Sequence, residues 1–375
     1  MWVCCFGSSQ EKEKNRSAAA EHADELSKAA FSTQLYSENE MKRATNNFQQ
    51  CNKIGGGGFG VVYKGILKDK MEVAIKKLST ESMQGDNEFL TEIQTISNIR
   101  HPNLVQLIGC CVQGSSRMLV YEYLENNSLS NALLAPRNKK IALGWSKRAA
   151  ICIGTARGLA FLHEELEPHI VHRDIKASNI LLDKDHLPKI GDFGLAKLFP
   201  DNVSHISTRV AGTIGYLAPE YALLGQLTKK ADVYSFGVLL LEIISGRNVS
   251  KPDWAEADLS LLELAWKLQQ ENRVLEIVDE ELEEYPEAEV LRFIKVALFC
   301  TQATASNRPS MTQVVEMLSK RKHLNEDLLT EPGILRKPDH LFGAKGGSSL
   351  STLVSQDNAS MQMGSAISMS QLYPR

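Results

Sequence analysis

Four short runs in the first third of the chain carry the apolar pattern of strands: GVVYKGIL at 60–67, MEVAIKKL at 71–78, LVQLIGCCV at 104–112 and RMLVYEY at 117–123. They are rich in Val and Ile, and the period of two turns successive side chains to opposite faces. In the second run Ala74 and Lys76 share one face, with Val73 and Ile75 on the other. A helical stretch at about 83–99 separates the second and third runs, and Phe89, Ile93, Ile96 and Ile99 lie on one arc of it with Glu92 inside. Beyond Tyr123 helical periods dominate, at 145–164, 228–245, 259–270, 288–302 and 310–320, the second of them apolar on nearly every side. The pattern predicts an α+β, two-lobed fold: a small β-rich lobe with one main helix at about 51–123, and a larger α-helical lobe at about 124–322.

The flanks lack this order. Residues 1–50 are rich in Glu, Lys, Ala and Ser and read as a flexible lead ending in a short helix. Residues 323–375 turn to Ser, Gly and Met without periodicity and read as a disordered tail. No repeat of fixed period is visible, which argues against a solenoid or propeller.

A net charge of -3 supplies no global attraction to nucleic acid, so no nucleic-acid partner is expected. Seven cysteines without a C-x-x-C spacing suggest neither a disulfide framework nor a zinc site, and a reducing compartment follows. The most apolar stretch, VLLLEII at 238–244, falls far short of the ~20 residues of a membrane-spanning helix. A cytoplasmic location is expected. Cys4 and Cys5, in MWVCCFG, are candidates for S-acylation, which would hold the protein at the cytoplasmic face of the plasma membrane; two idle thiols are the alternative. Trp2 stands where N-myristoylation requires Gly.

The run IGGGGFGVVYKG at 54–65 poses a choice between a dinucleotide loop, a phosphate-covering hairpin and a flexible linker. A dinucleotide loop opens a helix, whereas VVYKGIL favours a second strand, so the glycines cap a hairpin whose amides can approach phosphate closely. Lys76 on the following strand then has a phosphate to meet. Glu92, a carboxylate on an apolar arc, is its natural partner, because an unpaired buried charge is costly. Glu88, at the edge of the arc, reads as a solvated surface acid and is the alternative partner for Lys76.

Residues 172–179 read HRDIKASN, 192–194 DFG and 218–220 APE. With GGGGFGVV and VAIK, in this order and spacing, the chain resembles the eukaryotic protein kinases over essentially all of 51–322. The resemblance implies the bilobal kinase fold, ATP and Mg2+ as cofactors, and transfer of the ATP γ-phosphate to protein hydroxyls. Asp174 would accept the substrate proton, Asn179 and Asp192 would hold the metal, and Lys76 with Glu92 would hold the α and β phosphates. Gly55, Gly56, Gly57, Gly58, Phe59 and Gly60 would form the lid. Ile54, Val62 and Ala74 would line the adenine, with Glu122 and Leu124 offering hinge backbone groups. Lys176 and Thr213 match serine/threonine rather than tyrosine kinases. A scaffold without activity is the alternative, although such proteins usually lack a lysine or aspartate that stands here.

NNFQQCNKIGGGGFGVVYKG, HPNLVQLIGCC, LVYEYLENNSL and KADVYSFGVLLLEIISGR look like the plant receptor-like kinases, cousins of the interleukin-receptor-associated kinases. With neither ectodomain nor membrane span, the chain resembles their cytoplasmic subgroup, and within it the cold-responsive type. A receptor kinase or other signalling partner is implied. In relatives Arg173 awaits an anion from the activation loop, and Ser204, Ser207, Thr208 and Thr213 are the candidate phosphosites; Thr208 matches best and Thr213 fits a structural role. The resemblance also assigns Asp232 to the catalytic-loop backbone, Glu220 and Arg308 to a buried ion pair, and Ile96, His172 and Phe193 to an internal stack.

Overall fold

A computed structural model of the chain describes residues 33–57, 60–79, 83–135, 141–200, 203–249, 259–321 and 323–335. Cys4, Cys5, Gly58 and Phe59 lie outside them. The β-rich runs form antiparallel strands β2 (Lys53–Gly57), β3 (Gly60–Ile66), β4 (Glu72–Leu78), β5 (Leu107–Gln113) and β6 (Ser116–Glu122). A further strand, β1 (Gln34–Leu35), lies parallel to β5 and completes a sheet in the order β1-β5-β6-β4-β3-β2.

The alternation along β4 sorts its side chains as the pattern predicts. Val73 and Ile75 are fully buried and cluster with Cys111, Met118 and Val120 under Met41 of helix α1 (Glu38–Ala44). Helix α2 (Met83–Ile96) brings Phe89, Ile93 and Ile96 into the main core, with Glu92 completely buried beside them.

The larger lobe contains α3 (Leu129–Leu133), α4 (Trp145–Ala160), α5 (Pro219–Leu224), α6 (Lys229–Ser245), α7 (Leu261–Gln270), α8 (Glu287–Cys300) and α9 (Met311–Leu318). A π-helical turn, Phe161–Glu165, follows α4 and accounts for the longer period read there. Every residue of α6 from Ala231 onward is buried, as an all-round apolar helix requires. Its start is capped by the Thr228 hydroxyl, which accepts the Lys230 amide at 3.1 Å. Short strands β7 (His169–Val171), β8 (Ile180–Leu182), β9 (Pro188–Ile190) and β10 (Lys197–Phe199) pair as β7 with β10 and β8 with β9. The HRDIKASN loop therefore hangs between β7 and β8, and DFG between β9 and β10.

Both boundaries of the folded body need correcting. Upstream of residue 51, Tyr36 donates its amide to Cys110, Ser37 and Glu40 form a reciprocal capping box, and Phe48 packs edge-on against Tyr63. Downstream of residue 322, the chain forms a 3-10 turn, Glu326–Leu328, and pairs Pro332 with Gln302. The Tyr234 hydroxyl donates to the Gly333 carbonyl at 2.6 Å. These segments are polar on average, so composition hides the few apolar anchors that dock them.

Candidate active site

The glycine run is the hairpin between β2 and β3, with Gly55 opposite Val62, Gly56 opposite Val61 and Gly57 opposite Gly60. Its glycines are not equivalent. Gly60 has φ +140°, and a β-carbon there would lie 2.3 Å from the Lys77 carbonyl oxygen, so the sheet itself demands glycine. A β-carbon at Gly55 would meet only the Val62 side chain, at 3.8 Å, so the fold leaves room at that position.

Lys76 is the cation on which the two lobes converge. Its Nζ lies 3.1 Å from Glu92 Oε2 of α2 and 2.6 Å from Asp192 Oδ1 of the DFG stretch. The other Glu92 oxygen accepts the Phe193 amide at 3.3 Å, so one buried carboxylate ties lysine, helix and DFG together. Burial opposes charge on Lys76, but Asp192 and Glu92 outweigh it and raise its pKa. Burial likewise opposes charge on Asp192, and Lys76 overcomes it, holding that carboxylate below its usual range. Glu88 departs from expectation: it is 5 % exposed, its Cβ and Cγ packed over Gly194. It stands one helical turn before Glu92, on the face that DFG covers.

Around Asp174 the groups interlock. Thr213 Oγ1 donates to Asp174 Oδ1 at 2.7 Å and accepts from Lys176 Nζ at 2.8 Å, while Lys176 Nζ lies 2.7 Å from Asp174 Oδ2. Asn179 Nδ2 donates to the Asp174 carbonyl at 2.8 Å and to Oδ2 at 3.1 Å. The loop backbone hangs on Asp232 of α6, whose carboxylate accepts the amides of His172 at 2.7 Å and Arg173 at 2.8 Å and contacts His163 Nε2 at 2.9 Å. Desolvation works against its charge, yet these bonds keep its pKa low. His172 and Phe193 rings pack edge-on at 4.8 Å, with Ile96 buried in the same core. Arg308 makes a two-pronged bond to Glu220, at 2.7 and 2.8 Å.

The remaining candidates fall around this frame. Ala74 lies opposite Tyr121 and Lys76 opposite Leu119, so β4 and β6 present neighbouring faces. Leu124 is buried; the Glu122 carboxylate accepts the Gln106 amide at 2.8 Å and pairs with Lys189 at 2.9 Å. Ile54 and Val62 are half-buried. Ser204 and Ser207 are exposed, and Thr208 is half-buried with its amide bonded to the Gly225 carbonyl at 3.1 Å. Tyr121, on β6 opposite Ala74, is a site residue that the sequence reading does not single out. Its phenol is fully buried, and burial together with the charge of Glu92 pushes its pKa well up. No local sequence signal marks it, because the cross-strand register that sets it opposite Ala74 exists only in the folded sheet.

Asn179 turns its amide nitrogen to Asp174, which leaves its oxygen and the Asp192 carboxylate as hard donors. An oxygen set of this kind fits Mg2+.

A two-lobed fold with a strand lysine clamped by a helix glutamate, and an aspartate tied to lysine, threonine and asparagine, is the apparatus of phosphoryl transfer. The model of the protein tyrosine and serine/threonine kinase family matches residues 48–318, and the chain belongs to that family. With relatives named as serine/threonine-protein kinases, it is a serine/threonine protein kinase. It is 54% identical over 337 residues to cold-responsive protein kinase 1 of Arabidopsis thaliana, spanning 89% of this chain and 84% of that one. Two probable LRR receptor-like serine/threonine-protein kinases of that plant are 49% identical over 341 residues and 53% over 296. These alignments span 91% and 79% of this chain but only 33% and 28% of the receptors.

Proposed function

We propose that the chain uses ATP with Mg2+ to phosphorylate serine and threonine hydroxyls of protein substrates, its own activation loop included. The observation that supports this best is the joining of Lys76, Glu92 and Asp192 in one ion-pair cluster while Asp174 stands bonded to Thr213, Lys176 and Asn179. Lys76, kept charged, would hold the phosphates, and the β2–β3 hairpin would cover them. Asp174 would orient the incoming hydroxyl and take its proton, with Lys176 and Thr213 holding the carboxylate toward it. Asn179 and Asp192 would bind Mg2+, which when bound neutralises charge on the phosphates. Ile54, Val62, Ala74 and Tyr121 would surround the base, and Glu122 and Leu124 would offer it backbone groups. Ser204, Ser207 and Thr208 are the proposed phosphosites; Thr213, whose hydroxyl is used by Asp174 and Lys176, serves the site instead.

A membrane receptor kinase is the proposed upstream partner, supported by similarity to receptor-like kinases. Among the described residues no helix is long and apolar enough to cross a membrane. Acylated Cys4 and Cys5 would supply peripheral attachment, and a Cys4→Ser, Cys5→Ser protein should leave the membrane fraction.

The test is transfer from labelled ATP with magnesium, wild type against Asp174→Asn, followed by mapping of the labelled sites. The wild type should label itself on the activation loop, and Asp174→Asn should lose about a hundredfold or more in rate. No transfer by the wild type would favour the scaffold reading.

A further inference from the structure

The Arg173 backbone sits at φ +72°, a left-handed conformation costly for a side chain of this size, immediately before Asp174. Its guanidinium is held by oxygens from three directions. Nη1 donates to the Leu195 carbonyl at 3.1 Å and Nη2 to the Arg209 carbonyl at 2.8 Å. Nε and Nη2 both donate to one atom, the hydroxyl of Tyr221 on α5, at 3.0 and 2.6 Å. A guanidinium fork of this kind ordinarily grips a carboxylate or a phosphate.

That hydroxyl also receives the Ala211 amide at 2.9 Å and lies 3.2 Å from the Arg209 carbonyl, to which it donates. Three N–H groups thus converge on an oxygen with two lone pairs, and Tyr221 is 1 % exposed, so water is excluded from the junction. Two routes lead from it to Asp174. One runs through Arg173, the preceding residue. The other runs along the segment 209–213: a β-carbon on Gly212 would lie 2.6 Å from the Arg173 carbonyl oxygen, and Thr213 binds Asp174 and Lys176.

We infer that Tyr221 is a positioning residue for phosphoryl transfer, its hydroxyl gripping the Arg173 fork as an activation-loop phosphate would and so aligning Asp174 and Thr213 without one. The inference rests on Asp174 being the proton acceptor. Asp174→Asn tests that assignment separately, because its loss of transfer does not depend on Tyr221.

The experiment uses the full chain, treated with phosphatase so that no loop phosphate supplies the anion, and a double-mutant cycle of Tyr221→Phe and Arg173→Gln. Tyr221→Phe keeps the buried ring, and kcat should fall about ten- to a hundredfold while KM for ATP stays within about twofold. The double variant should be no slower than the slower single one. A Tyr221→Phe kcat within about twofold of wild type would overturn the proposal, as would losses that multiply in the double variant. If Tyr221→Phe does not fold, amide hydrogen exchange decides on Arg173→Gln: faster exchange at 209–213 than in wild type supports the shared junction, and unchanged exchange overturns it.

Discussion

Glu242 is a carboxylate in the middle of α6, fully buried among apolar neighbours. One of its oxygens accepts the Val249 amide at 2.8 Å and the other meets the Tyr216 hydroxyl. Burial pushes its pKa up to about 7, against the opposing pull of both partners. The unfolded chain releases that proton near the ordinary 4.5, so between these values the folded state holds more proton than the unfolded one. The stabilising contribution is therefore complete below pH about 4.5 and is lost as pH rises through about 7. Glu242→Gln removes the titration: its stability relative to wild type should improve by about 2 to 3 kcal/mol between pH 5 and pH 8 in denaturant titrations. At Gly56 a β-carbon would meet Lys53 Cε at 3.4 Å and the Gly60 carbonyl at 3.6 Å, so a side chain fits. Gly56→Glu should fold normally and tighten ATP binding by about twofold to fivefold, read by calorimetry, because it narrows the freedom lost when the lid orders.

Elements are joined here by a few charged side chains. Arg308 is 1 % exposed and follows the 3-10 turn Ala305–Asn307. Besides gripping Glu220 of α5, it donates to the carbonyls of Gln302 at 2.8 Å and Lys230 at 3.0 Å, so it fastens α5, α6 and the loop after α8. A lysine offers one point of charge where this site uses a fork. Arg308→Lys should cost about 1 to 3 kcal/mol in equilibrium unfolding, because the charge is kept while buried acceptors lose their donors. Helix α2 carries a related lesson. Its period put Glu92 on the buried arc correctly, but it could not say what would cover the neighbouring turn, where Gly194 packs over Glu88.

Across the whole molecule, the folded body extends beyond the residues that the family model matches. Upstream of 48, fully buried Met41 seals the outer face of the six-stranded sheet. Downstream of 318, Leu324 joins the core, Thr330 binds Gln302 Oε1 through both amide and hydroxyl, and Lys295 pairs with Glu326 at 2.5 Å. A fragment comprising 48–318 should melt several degrees below one comprising 33–335, because the shorter fragment exposes the surfaces these segments cover. At about 25 cal/mol per Å² of apolar surface, uncovering even ~100 Å² at each end amounts to about 5 kcal/mol. Equal melting temperatures by calorimetry would show that the flanks add nothing.

The sequence by itself determined the order of the lobes, the periods that bury β4, α2 and α6, and the chemical groups of the site, because each is written in a short contiguous stretch. HRDIKASN and DFG name their own aspartates. The tertiary structure alone decided which groups meet. Lys76 and Asp192 are 116 positions apart, and Arg173 and Tyr221 are 48 apart. A period shows which way a side chain turns but not what lies opposite it. Glu88 looked solvated for that reason, and the Tyr221 hydroxyl carried no local signal. The flanking segments escaped for the same reason: each is anchored by a few contacts with distant strands and helices, and composition averages such contacts away.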